Sequence, residues 1–179
     1  MNRPRFIVVT AIILAAAASR LIPHPPNVAP ITALALFSGA QFADKRLAFV
    51  IPIVALLLSD LVIGFYSQIW IVYGTFCLIA CIGFLLRSRK SFIALATATL
   101  TSSLLFFVVT NLGVWVFGSL YPKTIAGLTT CFIVAIPFFQ NTLLGDGFYT
   151  TLLFSVLWMM ELKWPAISAA RPESHQTIR

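Results

Sequence analysis

Three ionisable side chains stand inside apolar runs, where charge is expensive: Arg20, Asp60 and Asp146. Such residues mark substrate or ion sites, or internal charge pairs. Two readings follow. Either Arg20 pairs with one of two competing acids and locks a helix bundle, or at least one of the three touches a ligand directly. His24 lies at the boundary of the first apolar run, within the sequence Ser-Arg-Leu-Ile-Pro-His-Pro-Pro-Asn-Val-Ala-Pro at 19–30. Prolines 23, 25, 26 and 30 remove backbone donors and disfavour helix in the residues before them, so this backbone is irregular. Irregular backbone beside a bilayer is tolerated only where protein or a water-filled cavity satisfies its polar groups. The segment is therefore expected to help build a small-molecule pocket at one face of a membrane protein. His24, held between prolines, and Asn27 would serve there as ligand contacts or as loop-stabilising hydrogen-bond partners.

Asn111, inside another apolar run, needs a hydrogen-bond partner and is expected to face the bundle interior. Trp115, Tyr121 and Tyr66 could stack on a flat heterocycle or form an interfacial aromatic belt. Cys77 and Cys81 are four apart on one helix face and read as packing residues. All three cysteines fall in apolar stretches, so no disulfide or zinc framework is expected, and no resident metal or cofactor. No G-x-x-x-x-G-K-[ST] phosphate loop and no H-E-x-x-H zinc motif occurs.

These residues must be positioned by a membrane bundle. The 179 residues are 60% hydrophobic and 9% charged, with mean hydropathy +0.98. A soluble domain carries about 25% charged residues, so the chain falls in the membrane class. The net charge of +7 sits in clusters between apolar runs, a topogenic pattern that argues against nucleic-acid binding.

Apolar runs predict spans at 6–22, 31–42 (a short one), 47–65 (containing Pro52), 69–86, 92–111 and 137–162. The piece at 124–136, bounded by Pro122 and Pro137, is expected to be a half-helix or re-entrant segment. The positive-inside rule supports this, because six spans put Arg3/Arg5, Lys45/Arg46, Arg87/Arg89/Lys90 and Lys163/Arg171 on the cytoplasmic side, leaving Lys123 in an outer loop. The expected fold is an all-α, polytopic bundle of about six transmembrane helices, both termini cytoplasmic, in one domain over 1–165 with a short polar cytoplasmic tail at 166–179 that is disordered after Arg171. The first apolar run follows Arg3 and Arg5 and ends in small residues like a signal peptide. It is read as an uncleaved helix, because cleavage would leave the chain starting at Arg20. Ala11, Ala15 and Ser19 share one face of that helix, a small-residue surface suited to close packing. On the outer face, this topology gathers the 19–30 segment, the Tyr66-Ser67-Gln68 turn and a long irregular loop from Trp115 to Lys123.

Three ordered motifs carry a resemblance across nearly the whole chain: Arg20-Leu21-x-Pro23-His24-Pro25-Pro26-Asn27-x-x-Pro30; Asn111-Leu112-Gly113-Val114-Trp115 with Tyr121-Pro122-Lys123-Thr124; and Ile136-Pro137-Phe138-Phe139-x-Asn141-Thr142 with Gly145-Asp146. They resemble an uncharacterised family of small bacterial membrane proteins described only in terms of transport. That family in turn is similar to the S components of energy-coupling factor vitamin transporters, six-helix proteins that capture a vitamin at the outer face. The resemblance implies a multi-pass protein of the bacterial inner membrane. It adds Lys123 and Asn141 to the substrate-binding candidates His24, Asn27, Arg20, Asp60, Asn111, Trp115, Tyr121 and Asp146. A shared energising transmembrane and ATPase module would dock on Ala11, Ala15 and Ser19. The family pattern leads one to expect a basic residue where Gln140 stands. It also suggests a metal-centred ligand such as a corrinoid, held by a thiolate or His24. The function expected is uptake of a small, vitamin-like solute by a protein that is not an enzyme. The alternatives are an intramembrane enzyme using Asp60 and Asp146 as a carboxylate dyad, or a ligand-free membrane scaffold.

Overall fold

The computed structural model describes residues 1–88 and 91–168. Arg89, Lys90, Arg171 and most of the expected tail lie outside the described residues. The rest is all-helical: α1 (Arg3–Ser19), α2 (Ile31–Gln41), α3 (Lys45–Ile63), α4 (Ile69–Leu85), α5 (Phe92–Phe117) and α6 (Ile125–Lys163), followed by a short 3-10 turn at Pro165–Ile167. Four of the helices start on a side-chain cap. Asn2 accepts from the Arg5 amide, Asp44 from Arg46, Ser91 from Ala94 and Thr124 from Gly127. Neither α2 nor α4 has one.

Successive helices alternate in direction. One end of the bundle, called basal here, gathers the start of α1, the α2–α3 and α4–α5 junctions and the end of α6. The opposite, apical end carries the 20–30, 64–68 and 118–124 loops. α2 is the central element. It is apolar on every side, all eight residues from Thr32 to Gly39 are buried, and it touches all five other helices. Its contact with α4 is backbone on backbone. A Cβ added at Gly39 would collide with the Ala80 carbonyl, and one at Gly83 would stand 2.9 Å from the Gly39 Cα. At the basal end, Arg87 on the turn after α4 donates to the carbonyls of Gly39, Phe42 and Ala43, closing the C-terminus of α2.

Among the described residues α3, α5 and α6 are long and apolar enough to cross a membrane, while α2 and α4 are apolar but shorter. Their outward faces are apolar too: Val54, Leu58 and Leu61 on α3, Leu100, Leu104 and Val108 on α5, and Leu144, Phe148 and Leu152 on α6 are exposed at helical spacing. Such stripes suit lipid as solvent. All four tryptophans fall at the two ends, Trp70 and Trp115 apical, Trp158 and Trp164 basal, as interfacial belts do.

Three expectations are corrected. The 124–136 segment is not a separate half-helix: it forms the start of α6, which continues through Pro137. The helix survives because proline costs one internal bond and a bend, while flanking turns remain packed on α5 through Phe107 against Phe132 and Phe139 and through Cys131 against the Asn111 carbonyl. Likewise α5 does not end at Asn111 but runs to Phe117, so the apical loop begins only at Gly118. Finally, the start of the expected tail belongs to the body. Ile167 is buried, its carbonyl accepts from Arg5 (3.1 Å), and the Ala166 carbonyl accepts from Asn2 (2.8 Å).

Candidate functional site

Arg20 caps the C-terminus of α1, and Asp60 lies in the last turn of α3. They pair at 2.6 Å with side chains 7% and 2% exposed, so this is an ion pair withdrawn from solvent. The guanidinium also bonds the Ser59 hydroxyl, and the second Asp60 oxygen accepts from Tyr73 on α4 at 2.7 Å. Each charge is thereby neutralised and hydrogen-bonded, the condition under which a buried pair is tolerated. Tyr66, in the loop after α3, has its phenol held above the ordinary pKa, first by partial burial and then by the charge on Asp60, against the opposing pull of Arg20.

Asp146, near the middle of α6, is 1% exposed and has no cation beside it among the described residues. It accepts from Ser103 on α5 at 2.6 Å, and Thr32 on α2 lies close by. Thr32 is the second residue of the uncapped α2, so the carboxylate lies by the positive end of that helix. Two further hydroxyls nearby in sequence, Ser102 on α5 and Thr150 one turn below Asp146 on α6, are buried without any hydrogen-bond partner. Polar groups left so in an apolar interior call for a functional account.

The other sequence candidates fall elsewhere. Asn27 has φ 63° at the third position of a turn closed by the Val28 amide on the Pro25 carbonyl, with Pro26 before it. That is the pattern of a type II turn, for which asparagine is suited. Asn141 donates to the Pro26 carbonyl and ties this turn to α6, while His24 is exposed with Nδ1 2.7 Å from the Ile22 carbonyl. Trp115 donates to the Pro122 carbonyl; Lys123 binds the carbonyls of Trp115 and Gly118 and lies over the Trp115 ring, closing the end of α5, with half-buried Tyr121 in the same loop. Asn111 donates to Phe107 in its own helix. Eight of the ten residues thus fall in four groups, Arg20 with Asp60, the Asn27 turn with Asn141, the loop around Trp115, Tyr121 and Lys123, and Asp146 in the interior, while His24 and Asn111 bond only backbone of their own segments.

A cleft of about 910 Å³ opens at the basal end instead, between the N-terminal part of α5 and the C-terminal part of α6. Leu95, Phe154 and Trp158 form apolar wall, and Arg5, Gln41, Arg87 and Glu161 lie around it. Arg5 bonds Glu161, Gln41 and the Ile167 carbonyl, which fixes this rim. Sequence reasoning passed over Ser102, Ser103, Thr150, Tyr73 and the cleft. The one available signal was the polar run Thr97-Ala98-Thr99-Leu100-Thr101-Ser102-Ser103 inside an otherwise apolar α5.

A profile of a family of unknown function, DUF6580, matches residues 1–167. The chain belongs to this family. The match takes in both buried acids, all six helices and the cleft, so every feature of the candidate site lies within the DUF6580 region. No curated protein and no solved structure matches the chain.

Proposed function

We propose that this DUF6580 protein is a multi-pass membrane protein that moves a small solute across the bilayer. One observation carries the reading: a buried carboxylate, Asp146, hydrogen-bonded to Ser103, lies in an apolar bundle whose same two helices carry the unpartnered hydroxyls of Ser102 and Thr150 and line an open cleft. Charge at such a depth is costly and is kept where ions or substrates pass. A cleft of about 910 Å³ also falls in the range of small-ligand sites, about 300–1,000 Å³. The finer form of the proposal has six spans with both termini cytoplasmic in a bacterial inner membrane. It takes a vitamin-sized solute, captured on the apical face beside the rigid 20–30 turn. Its likeness to S components rests on the ordered motifs and the helix count. Ala11 and Ala15 are left exposed by their own chain, which suits the docking of an energising partner on that face of α1. The carboxylate-dyad alternative has less support: Asp60 is bonded to Arg20 and Tyr73, Asp146 to Ser103, and no hydrogen bond joins the two acids.

Native mass spectrometry of protein purified gently in detergent tests this reading. A co-purifying small molecule is expected; its loss in a His24→Ala/Asn27→Ala variant that still folds would place capture at the apical face, and its loss in Leu95→Trp would place it in the basal cleft. An apo mass, together with no thermal stabilisation by any member of a panel of vitamin-sized solutes, would move the assignment to a ligand-free scaffold.

A further inference from the structure

We infer that Asp146 is a proton-exchange site reached from the basal cleft through the hydroxyl layer of Thr99 and Thr150. The inference deepens the transport reading by naming a coupling ion, and it rests on that reading only for its purpose. The geometry is a ladder of helical turns. On α6, Phe154 lines the cleft, Thr150 is four residues above it and Asp146 four above that. On α5, Leu95 lines the cleft, with Thr99 and then Ser103 above it at the same spacing. Residues four apart share a helix face, and four residues rise about 6 Å, so the carboxylate lies about 12 Å beyond the cleft floor. Thr150 is 2% exposed and has no hydrogen-bond partner. Its hydroxyl is therefore free to bond a water on each side, accepting a proton from one and releasing its own to the other.

The carboxylate has partners for both protonation states. Ser103 carries a single hydroxyl proton and has two acceptors in reach, Asp146 Oδ2 at 2.6 Å and the Thr99 carbonyl at 3.0 Å. With Asp146 ionised, Ser103 donates to it, and the N-terminus of α2 beside Thr32 supplies positive potential. With Asp146 protonated, its own O–H donates to Ser103, and Ser103 turns to the Thr99 carbonyl. Neither Ser103 nor Asp146 is left with an unpaired proton in either state. The elements packed against this position bring no competing charge among the described residues. α5 offers Ser103, α2 offers Thr32, and the 20–30 loop puts Val28 against Gly145. From α1, Ser19 reaches only the Tyr149 phenol, while Arg20 is held by Asp60. The step balances simply. A hydronium in the cleft gives up one proton, and waters bridging the steps of about 6 Å between Phe154, Thr150 and Asp146 pass it on. The carboxylate becomes a neutral carboxyl, and a water remains in the cleft.

Infrared difference spectroscopy on the full chain in lipid nanodiscs tests the site without knowledge of the solute. A protonated-carboxyl C=O band should appear as pH falls and be missing in Asp146→Asn. On transfer to D₂O, the deuterium shift of that band should be slowed in Thr150→Val by about tenfold or more, the factor given by a barrier about 1.4 kcal/mol higher. Thr150→Ser, which restores the hydroxyl, should exchange at the native rate, separating relay from packing. Three results would overturn the inference: no band lost in Asp146→Asn, equal exchange rates in native and Thr150→Val protein, or loss of the band on adding Na⁺ at fixed pH, which would assign the carboxylate to a metal cation. Solute binding in the mass-spectrometric assay is read separately, so either proposal can fail while the other stands.

Discussion

The two buried acids differ in what surrounds them, and so they should respond differently to neutralisation. Asp60 holds the only positive charge buried at the apical end, since Arg20 has no other acidic partner among the described residues. Arg20→Met should therefore cost about 3–5 kcal/mol, because it leaves an unpaired carboxylate in a buried site. The double variant Arg20→Met/Asp60→Leu should recover most of that loss, since no charge is then stranded. Unfolding midpoints in mild detergent compare the three proteins, and a double variant no better than the single would refute the pairing argument. Asp146→Asn is expected to change stability by less than about 1 kcal/mol, because the amide oxygen still accepts from Ser103 and no cation is abandoned. Arg20, Asp60 and Asp146 were legible in the sequence because charge in an apolar run is conspicuous. Their partners were not. Serine and threonine in membrane helices commonly bond their own backbone, as Thr75, Thr110 and Thr142 do here. Residue type alone does not say which hydroxyls turn instead toward a neighbouring helix.

Helix packing places these residues, and its tightest joint is the crossing of α2 and α4. Gly39 and Gly83 face each other's backbones there, so even one methyl has no flexible side chain to displace. Gly83→Ala should destabilise the protein by about 1–3 kcal/mol, the usual cost of overpacking. Gly74→Ala, on the same helix with nothing within 4 Å of the added carbon, should be neutral or stabilising by up to about 1 kcal/mol. Thermal unfolding of the pair isolates the crossing from helix propensity, and equal effects would show that the contact is not tight. Six apolar runs in the sequence became six helices, and the turn at Tyr66-Ser67-Gln68 lies between α3 and α4 as expected. Helix extent was less legible. Pro137 suggested a boundary, yet the neighbouring turns of α5 hold α6 together across it. The central place of α2 was hidden as well. A short apolar run at 31–42 reads alike whether it is a lipid-facing span or a helix enclosed by five others, because burial on all sides leaves no polar stripe.

At the scale of the molecule, the distribution of charge predicts an orientation that labelling can test. α5 runs 26 residues, about 39 Å, and the hydrocarbon core is about 30 Å thick, so this one helix carries the chain between the two tryptophan belts. α6, at 39 residues, is about 58 Å long and must lean or protrude to keep its apolar stretch in lipid. The basal end holds Arg3, Arg5, Lys45, Arg46, Arg87 and Lys163, against Asp44 and Glu161. The apical end keeps Lys123 outside the Arg20–Asp60 pair, and Lys123 is bound to the carbonyls that close α5. An excess of basic residues stays on the cytoplasmic side, so the basal end, with its cleft, is expected to face the cytoplasm. In a background with Cys77, Cys81 and Cys131 replaced by alanine, a cysteine at Leu120 should react with an impermeant maleimide on intact cells. One at Arg46 should react only after the cells are opened. The reverse pattern would turn the molecule over and place the cleft outside, where the route to Asp146 through Thr150 would draw protons from the external medium instead of the cytoplasm.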